Sequence, residues 1–135
     1  MPEFTNISHL DLTVTDVERS AAWYVEVLGL RRLGRTDFAD RIMVVLGHRP
    51  SGLVVGLNQH LGATGERFDE RRPGLDHVGF AVGERGDLDA WQARLAELGV
   101  EHSPVQDADS GSGTALVFRD PDNIQLEFWW TRPRG

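Results

Sequence analysis

The sequence predicts an α+β fold of two βαβββ modules forming a cupped mixed β-sheet. Three observations carry it. The chain reads twice at an interval of about 70 residues, each half opens on an alternating strand and an amphipathic helix, and three short extended segments follow each helix.

In the first half, "ISHLDLTV" (7–14) places Leu10, Leu12 and Val14 on one face and Ile7, His9, Asp11 and Thr13 on the other. Thr15 with Glu18 has the capping-box pattern that opens a helix. Val17, Ala21, Tyr24, Val25 and Leu28 supply its apolar stripe, and Gly29 is placed to end it. The extended segments are "LRRLGRT", "RIMVVLG" and "GLVVGLN". The polar connector "HLGATGERFDERRP" reads as a solvated loop, with a mobile lid or an arginine anchor for an anion as the sharper alternatives.

The second half repeats the order. "GLDHVGFAV" (74–82) is the strand, a helix runs from Asp87 to Leu98 on a stripe of Leu88, Trp91, Leu95 and Leu98, and Gly99 stops it. Strands are expected over 100–105, "TALVFRD" and "NIQLEFWW". The register supports the duplication: His9 falls on His77, Gly29 on Gly99 and Pro50 on Pro121, at offsets of 68, 70 and 71. Such drift reflects loop lengths, and two copies suit a pair of modules, 5–60 and 74–131, better than a solenoid.

At 135 residues the chain fits one domain, 1–135, that builds its core without disulfides or a structural metal. It has no cysteine, so a metal would be held by imidazole, carboxylate or water. A net charge of −7 argues against phosphate-backbone binding, and no apolar run approaches membrane-spanning length. Without a leader-like N-terminus, the expected location is the cytoplasm.

On the first strand of each module the large apolar residues share one parity. His9 and His77 take the other, at equivalent positions facing away from the helix. On the last strand Ile124, Leu126, Phe128 and Trp130 alternate with Gln125, Glu127 and Trp129. The register sets Glu127 on Gly56, so the four inward positions are His9, Gly56, His77 and Glu127. Two imidazoles and a carboxylate with open positions suit Fe(II) or Mn(II) first, with Zn(II) and Ni(II) compatible. The bland alternative is a pair of histidines hydrogen-bonded to carboxylates in a metal-free cavity.

His60 is a candidate acid or base. Trp129, Asn58, Gln125 and Met43 are candidates for substrate contact, Trp129 by stacking on a planar group. Trp23 and Trp91 read as core, and Trp130 as facing the helix layer.

"HLDLTVTDVERSAAWYVEVLGL", "LDHVGFAV" and "FRDPDNIQLEF" resemble the vicinal oxygen chelate superfamily, which includes glyoxalase I, extradiol dioxygenases, fosfomycin-modifying enzymes and bleomycin-resistance proteins. The resemblance covers 7–129. It implies paired βαβββ modules around a divalent metal, with ligands falling on His9, His77 and Glu127. Gly56 stands where glyoxalase I-like members carry a fourth ligand. The acidic segment "VQDADSGSGTALVF" is unlike the cationic phosphonate site of fosfomycin-modifying relatives, and Asn123 stands in a turn where glycine is common. The resemblance also implies a homodimer, with sites within one chain or shared between chains.

The expected function is a metal-dependent enzyme of the dioxygenase or lyase/isomerase type, acting on a small oxygenated substrate by bidentate chelation. The alternative class is a non-catalytic protein that sequesters an aromatic natural product or antibiotic.

Overall fold

The computed structural model describes residues 1–135 and divides them into two units, Met1–Glu66 and Arg67–Gly135. In the first, β1 (Leu10–Thr13), α1 (Val17–Leu28), β2 (Arg31–Asp37), β3 (Arg41–His48) and β4 (Leu53–His60) follow in order. Their sheet runs β1-β4-β3-β2, with β1 parallel to β4 and the other pairs antiparallel. In the second, β5 (His77–Ala81), α2 (Asp87–Glu97), β6 (Gln106–Asp107), β7 (Gly113–Arg119) and β8 (Gln125–Thr131) repeat it as β5-β8-β7-β6, with β5 parallel to β8. Each unit is thus one βαβββ module with a four-stranded mixed sheet.

Alternation decides which face of each sheet meets its helix. In the first unit Leu12, Val44, Leu46, Val55 and Leu57 are buried with Val17, Ala21, Tyr24, Val27 and Leu28 of α1, which packs on β3 and β4. The sequence stripe needs one correction: Val25 is exposed and Val27 takes its place in the core. The helix also starts one residue later than the capping box implied. Asp16 is the N-cap, its side chain accepting from the Arg19 amide at 3.0 Å. Gly29 closes α1 at φ 70°, where the left-handed turn favours glycine.

In the second unit Leu88 and Leu95 of α2 are buried with Leu116, Phe118, Ile124, Leu126 and Phe128. Trp91 stacks on Phe128 at 4.1 Å between ring centroids, and Phe128 stacks in turn on Phe118 at 5.1 Å. This aromatic column pins α2 to the sheet and fixes the parity of β8.

The strand expected over 100–105 does not form. Only an isolated bridge, His102 to Phe118, and the two-residue β6 line β7 there. Pro104 lacks the amide a ladder needs, and the Ser103 hydroxyl instead accepts from the Val117 amide at 2.9 Å. The first strand is shorter than read, since β1 begins at Leu10 and leaves His9 just outside it.

The connector departs from a solvated loop at its C-terminal end. Phe68, Asp69 and Glu70 are half-buried; the Phe68 amide donates to the Asp122 carbonyl, and Arg119 grips Glu70 at 2.8 and 3.0 Å. It docks on the β7–β8 turn, where Asn123 adopts φ 68° and Asp120 accepts from the Asp122 and Ile124 amides. No helix is long and apolar enough to cross a membrane.

Candidate functional site

The face of β5 turned away from α2 carries His77, Gly79 and Ala81, all exposed, while Val78 and Phe80 point toward the core. On β8 the same face carries Gln125, Glu127 and Trp129. Pairing sets His77 beside Gln125 and Gly79 beside Glu127. The absence of a side chain at Gly79 lets the Glu127 carboxylate lie over it; a Cβ there would meet Glu127 Oε1 at 3.3 Å. His77 Nε2 stands 3.3 Å from the same oxygen.

Asp76 completes the arrangement. Its Oδ1 lies 2.5 Å from His77 Nδ1, which raises the imidazole above its ordinary pKa; partial burial opposes the shift and the Glu127 charge adds to it. The acidic group on Nδ1 orients the ring so that Nε2 faces Glu127. Glu127 is only 15% exposed, so a cation beside it offsets the cost of desolvating its charge. A carboxylate and an oriented imidazole converging at this separation fit a divalent cation as two of its donors. No group of three or more potential ligand side chains is gathered in one place.

In the first unit His9 precedes β1 and is exposed, with Nδ1 2.6 Å from Ser8 Oγ. Its two successors on the same face, Asp11 and Thr13, lie on β1. Asn58 is buried on β4, donating to Asp11 Oδ2 at 3.3 Å and accepting from Arg41 Nε at 3.1 Å. Met43 is half-buried opposite Asn58 on β3, and His60 is the exposed last residue of β4 rather than a loop residue beyond it.

The remaining candidates belong to the second unit. Gln125 accepts from Arg119 Nη2 at 3.0 Å. Trp129 donates its indole N–H to Thr131 Oγ1 at 2.9 Å and lies across Gly113, where a Cβ would sit 2.5 Å from its ring. Arg119 holds Glu70, lowering that carboxyl to about 2, so this guanidinium is engaged within its own unit.

Sequence reasoning missed Asp76 as the partner of His77 and Arg41 as the support of Asn58. The first had a readable signal, an aspartate immediately preceding a candidate ligand histidine. The second had none, because it depends on the β3–β4 register.

Two duplicated βαβββ modules, one with a histidine–carboxylate pair on the face opposite its helix, define the class. Residues 6–128 match the Glyoxalase/Bleomycin resistance protein/Dioxygenase superfamily. The chain belongs to this family, the vicinal oxygen chelate superfamily. It is 30% identical to catechol-2,3-dioxygenase of Bacillus subtilis (strain 168) over 98% of its own length, and spans 44% of that relative. Among solved structures it is similar to the glyoxylase/bleomycin resistance protein/dioxygenase domain from Frankia sp. EAN1pec, with a TM-score of 0.88 and 38% identity over 96% of this chain and 100% of that one. It also shares its fold with a mutant of the fosfomycin resistance protein FosX from Listeria monocytogenes, complexed with Mn(II) and 1S,2S-dihydroxypropylphosphonic acid. There the TM-score is 0.71 and the identity 19%, over 96% of this chain and 95% of that one.

Proposed function

We propose that this protein is a metal-dependent enzyme, of dioxygenase or lyase/isomerase type, acting on a small oxygenated substrate that presents two adjacent oxygens. The observation that carries the reading is the convergence of His77 Nε2 and Glu127 Oε1 at 3.3 Å, with Asp76 on the far ring nitrogen. His9, the repeat equivalent of His77, is the third proposed ligand. The Mn(II) in the FosX complex and the likeness to a catechol dioxygenase support a divalent ion, with Fe(II) or Mn(II) preferred for an oxygen- and nitrogen-donor set and Zn(II) or Ni(II) compatible.

A divalent ion held there would supply Lewis-acid polarisation of the substrate oxygens and stabilisation of developing oxyanion charge. The chain's own residues do the rest. Asp76 orients the His77 ring so that Nε2 faces Glu127. Trp129 offers a flat apolar surface on the face that carries Glu127, and Gln125 a hydrogen-bonding amide; both are proposed to orient the organic part of the substrate. Asn58 and Met43 are assigned the same role on the first module. His60 is the proposed proton carrier, suited by an imidazole's ordinary titration range. We include in the proposal a homodimer, to be checked by sedimentation.

The test is metal content and Mn(II) or Fe(II) titration of the chelator-free protein alongside His77→Ala and Glu127→Ala. Near-stoichiometric metal in the parent, lost in both variants, sustains the reading and directs assays to oxygen uptake with catechols and to isomerisation of small hydroxycarbonyl compounds. A parent that takes up no metal overturns it.

A second reading rests on Trp129, a half-buried indole lying over the sheet as a platform for aromatic rings. It makes the protein a sequestering one for an aromatic natural product or antibiotic. Quenching of tryptophan fluorescence by aromatic antibiotics in the metal-free protein, without turnover, would select it.

A further inference from the structure

We infer that Asp11 supplies the first module's metal-facing carboxylate, in place of the side chain that Gly56 lacks; this rests on the metal reading above. The ladders show why. In the second unit Gly79 on β5 is paired with Glu127 on β8, and in the first unit Asp11 on β1 is paired with Gly56 on β4. Both are parallel pairs at equivalent points of the duplicated fold, two residues beyond His77 and His9. Each consists of one glycine and one carboxylate, with the strands exchanged.

The close approach is also repeated. Glu127 lies over Gly79, and a Cβ built on Gly56 would collide with Asp11 Oδ1 and sit 2.7 Å from its Cγ. A side chain at residue 56 would displace the Asp11 carboxylate, which lies over the glycine. In this pair the carboxylate stands on β1 and the glycine on β4.

The polar contact of the Asp11 carboxylate is with a neutral group. Asp11 Oδ2 accepts from the neutral amide of Asn58, whose own oxygen is held by Arg41. Arg41 directs its other contacts to Asp40 and to the face of Phe38, so its link to Asp11 runs through Asn58. The Asp11 carboxylate is thus oriented by a buried neutral donor, on the strand face that His9 adjoins. Such an anion attracts a cation directly, or accepts a hydrogen bond from its bound water.

Mn(II) binding by the full chain tests the assignment, measured by calorimetry and by the Mn(II) electron paramagnetic resonance line shape. Asp11→Asn and Asp11→Gly are expected to weaken Mn(II) binding at least tenfold and to alter the line shape. The double variant Asp11→Gly/Gly56→Glu, which copies the second module's arrangement into the first, is expected to recover affinity to within a few-fold. Thermal melts confirm that each variant folds. Parent-like affinity in both Asp11 single variants, with binding abolished in His77→Ala and Glu127→Ala, overturns this inference alone. Failure of the double variant to recover, although folded, also overturns it. A parent that binds no Mn(II) overturns the metal reading and this inference together.

Discussion

Gly113 and Asn123 show how narrowly single positions are determined around the second unit's strands. A methyl group at Gly113 would strike the Trp130 carbonyl and lie 2.5 Å from the Trp129 ring. Gly113→Ala therefore forces backbone and indole apart, and should cost about 1–3 kcal/mol and shift the tryptophan emission; urea unfolding with a fluorescence spectrum checks both. Asn123 combines φ 68° with hydrogen bonds from Arg67 and to the Phe68 carbonyl. Asn123→Gly should lose mainly those bonds, about 1 kcal/mol, whereas Asn123→Ala loses them and adds strain, about 1–2 kcal/mol more. Equal losses in the two variants would refute the conformational part. At this scale the sequence was legible wherever parity and duplication decide. Both place His77 and Glu127 on one face, and the structure sets them 3.3 Å apart. It was silent on Asp11 over Gly56, because that approach is set by which residues of two distant segments come into register. Parity put Asp11 on the right face but gave no sign of what it covers.

Among the elements, α1 is the one whose ends and faces follow most directly from residue chemistry. Asp16→Ala should cost about 1 kcal/mol by leaving the Arg19 amide without its cap. Ser20 is fully buried in the same helix and its hydroxyl has no partner. Removing an unsatisfied polar atom while improving helix propensity favours the folded state, so Ser20→Ala should raise stability by about 0.5–1 kcal/mol. A loss of that size in chemical denaturation would show that the hydroxyl has an unrecognised role. On its outer face α1 is tied to the exposed strand β2 by Glu18, which accepts from Arg32 at 2.6 and 2.9 Å and from Arg35 at 2.7 Å. These hydrogen bonds hold the Glu18 carboxyl at about 2, below its ordinary 4.5. Folding therefore favours the ionised form; the stabilisation is complete above about pH 5 and is lost as pH falls from 4.5 toward 2. The cluster is half-exposed, so solvent screening keeps the effect small. The stability difference between the parent and Glu18→Gln should shrink over that interval. Periodicity located α1 and α2 and most strands, but the 100–105 segment failed as a strand. Its apolar residues suggested extension, while Pro104 and the Ser103 hydroxyl determine the hydrogen bonding.

For the molecule as a whole, the decisive relation is between the proposed metal and folding. Each unit reaches a complete core with its own helix and sheet, so neither fold needs a metal to fill or bridge its interior. A metal of the proposed kind would add to stability by mass action, leaving the apo chain folded. At a free concentration one hundred times its dissociation constant, an ion that binds only the folded chain contributes about 2.7 kcal/mol. For a chain of this size that corresponds to a rise in melting temperature of roughly 5–10 °C. Chelator treatment should therefore lower the melting temperature by that amount without abolishing cooperative unfolding, and Mn(II) should restore it. In His77→Ala and Glu127→Ala the chelated melting temperature should change little while the Mn(II) response disappears, because these side chains lie on the face away from the helical core. A parent whose unfolding is indifferent to both chelator and Mn(II) would instead mark Glu127 and His77 as an ion pair of the sheet, and turn attention to Trp129 as the chemically important feature of that face.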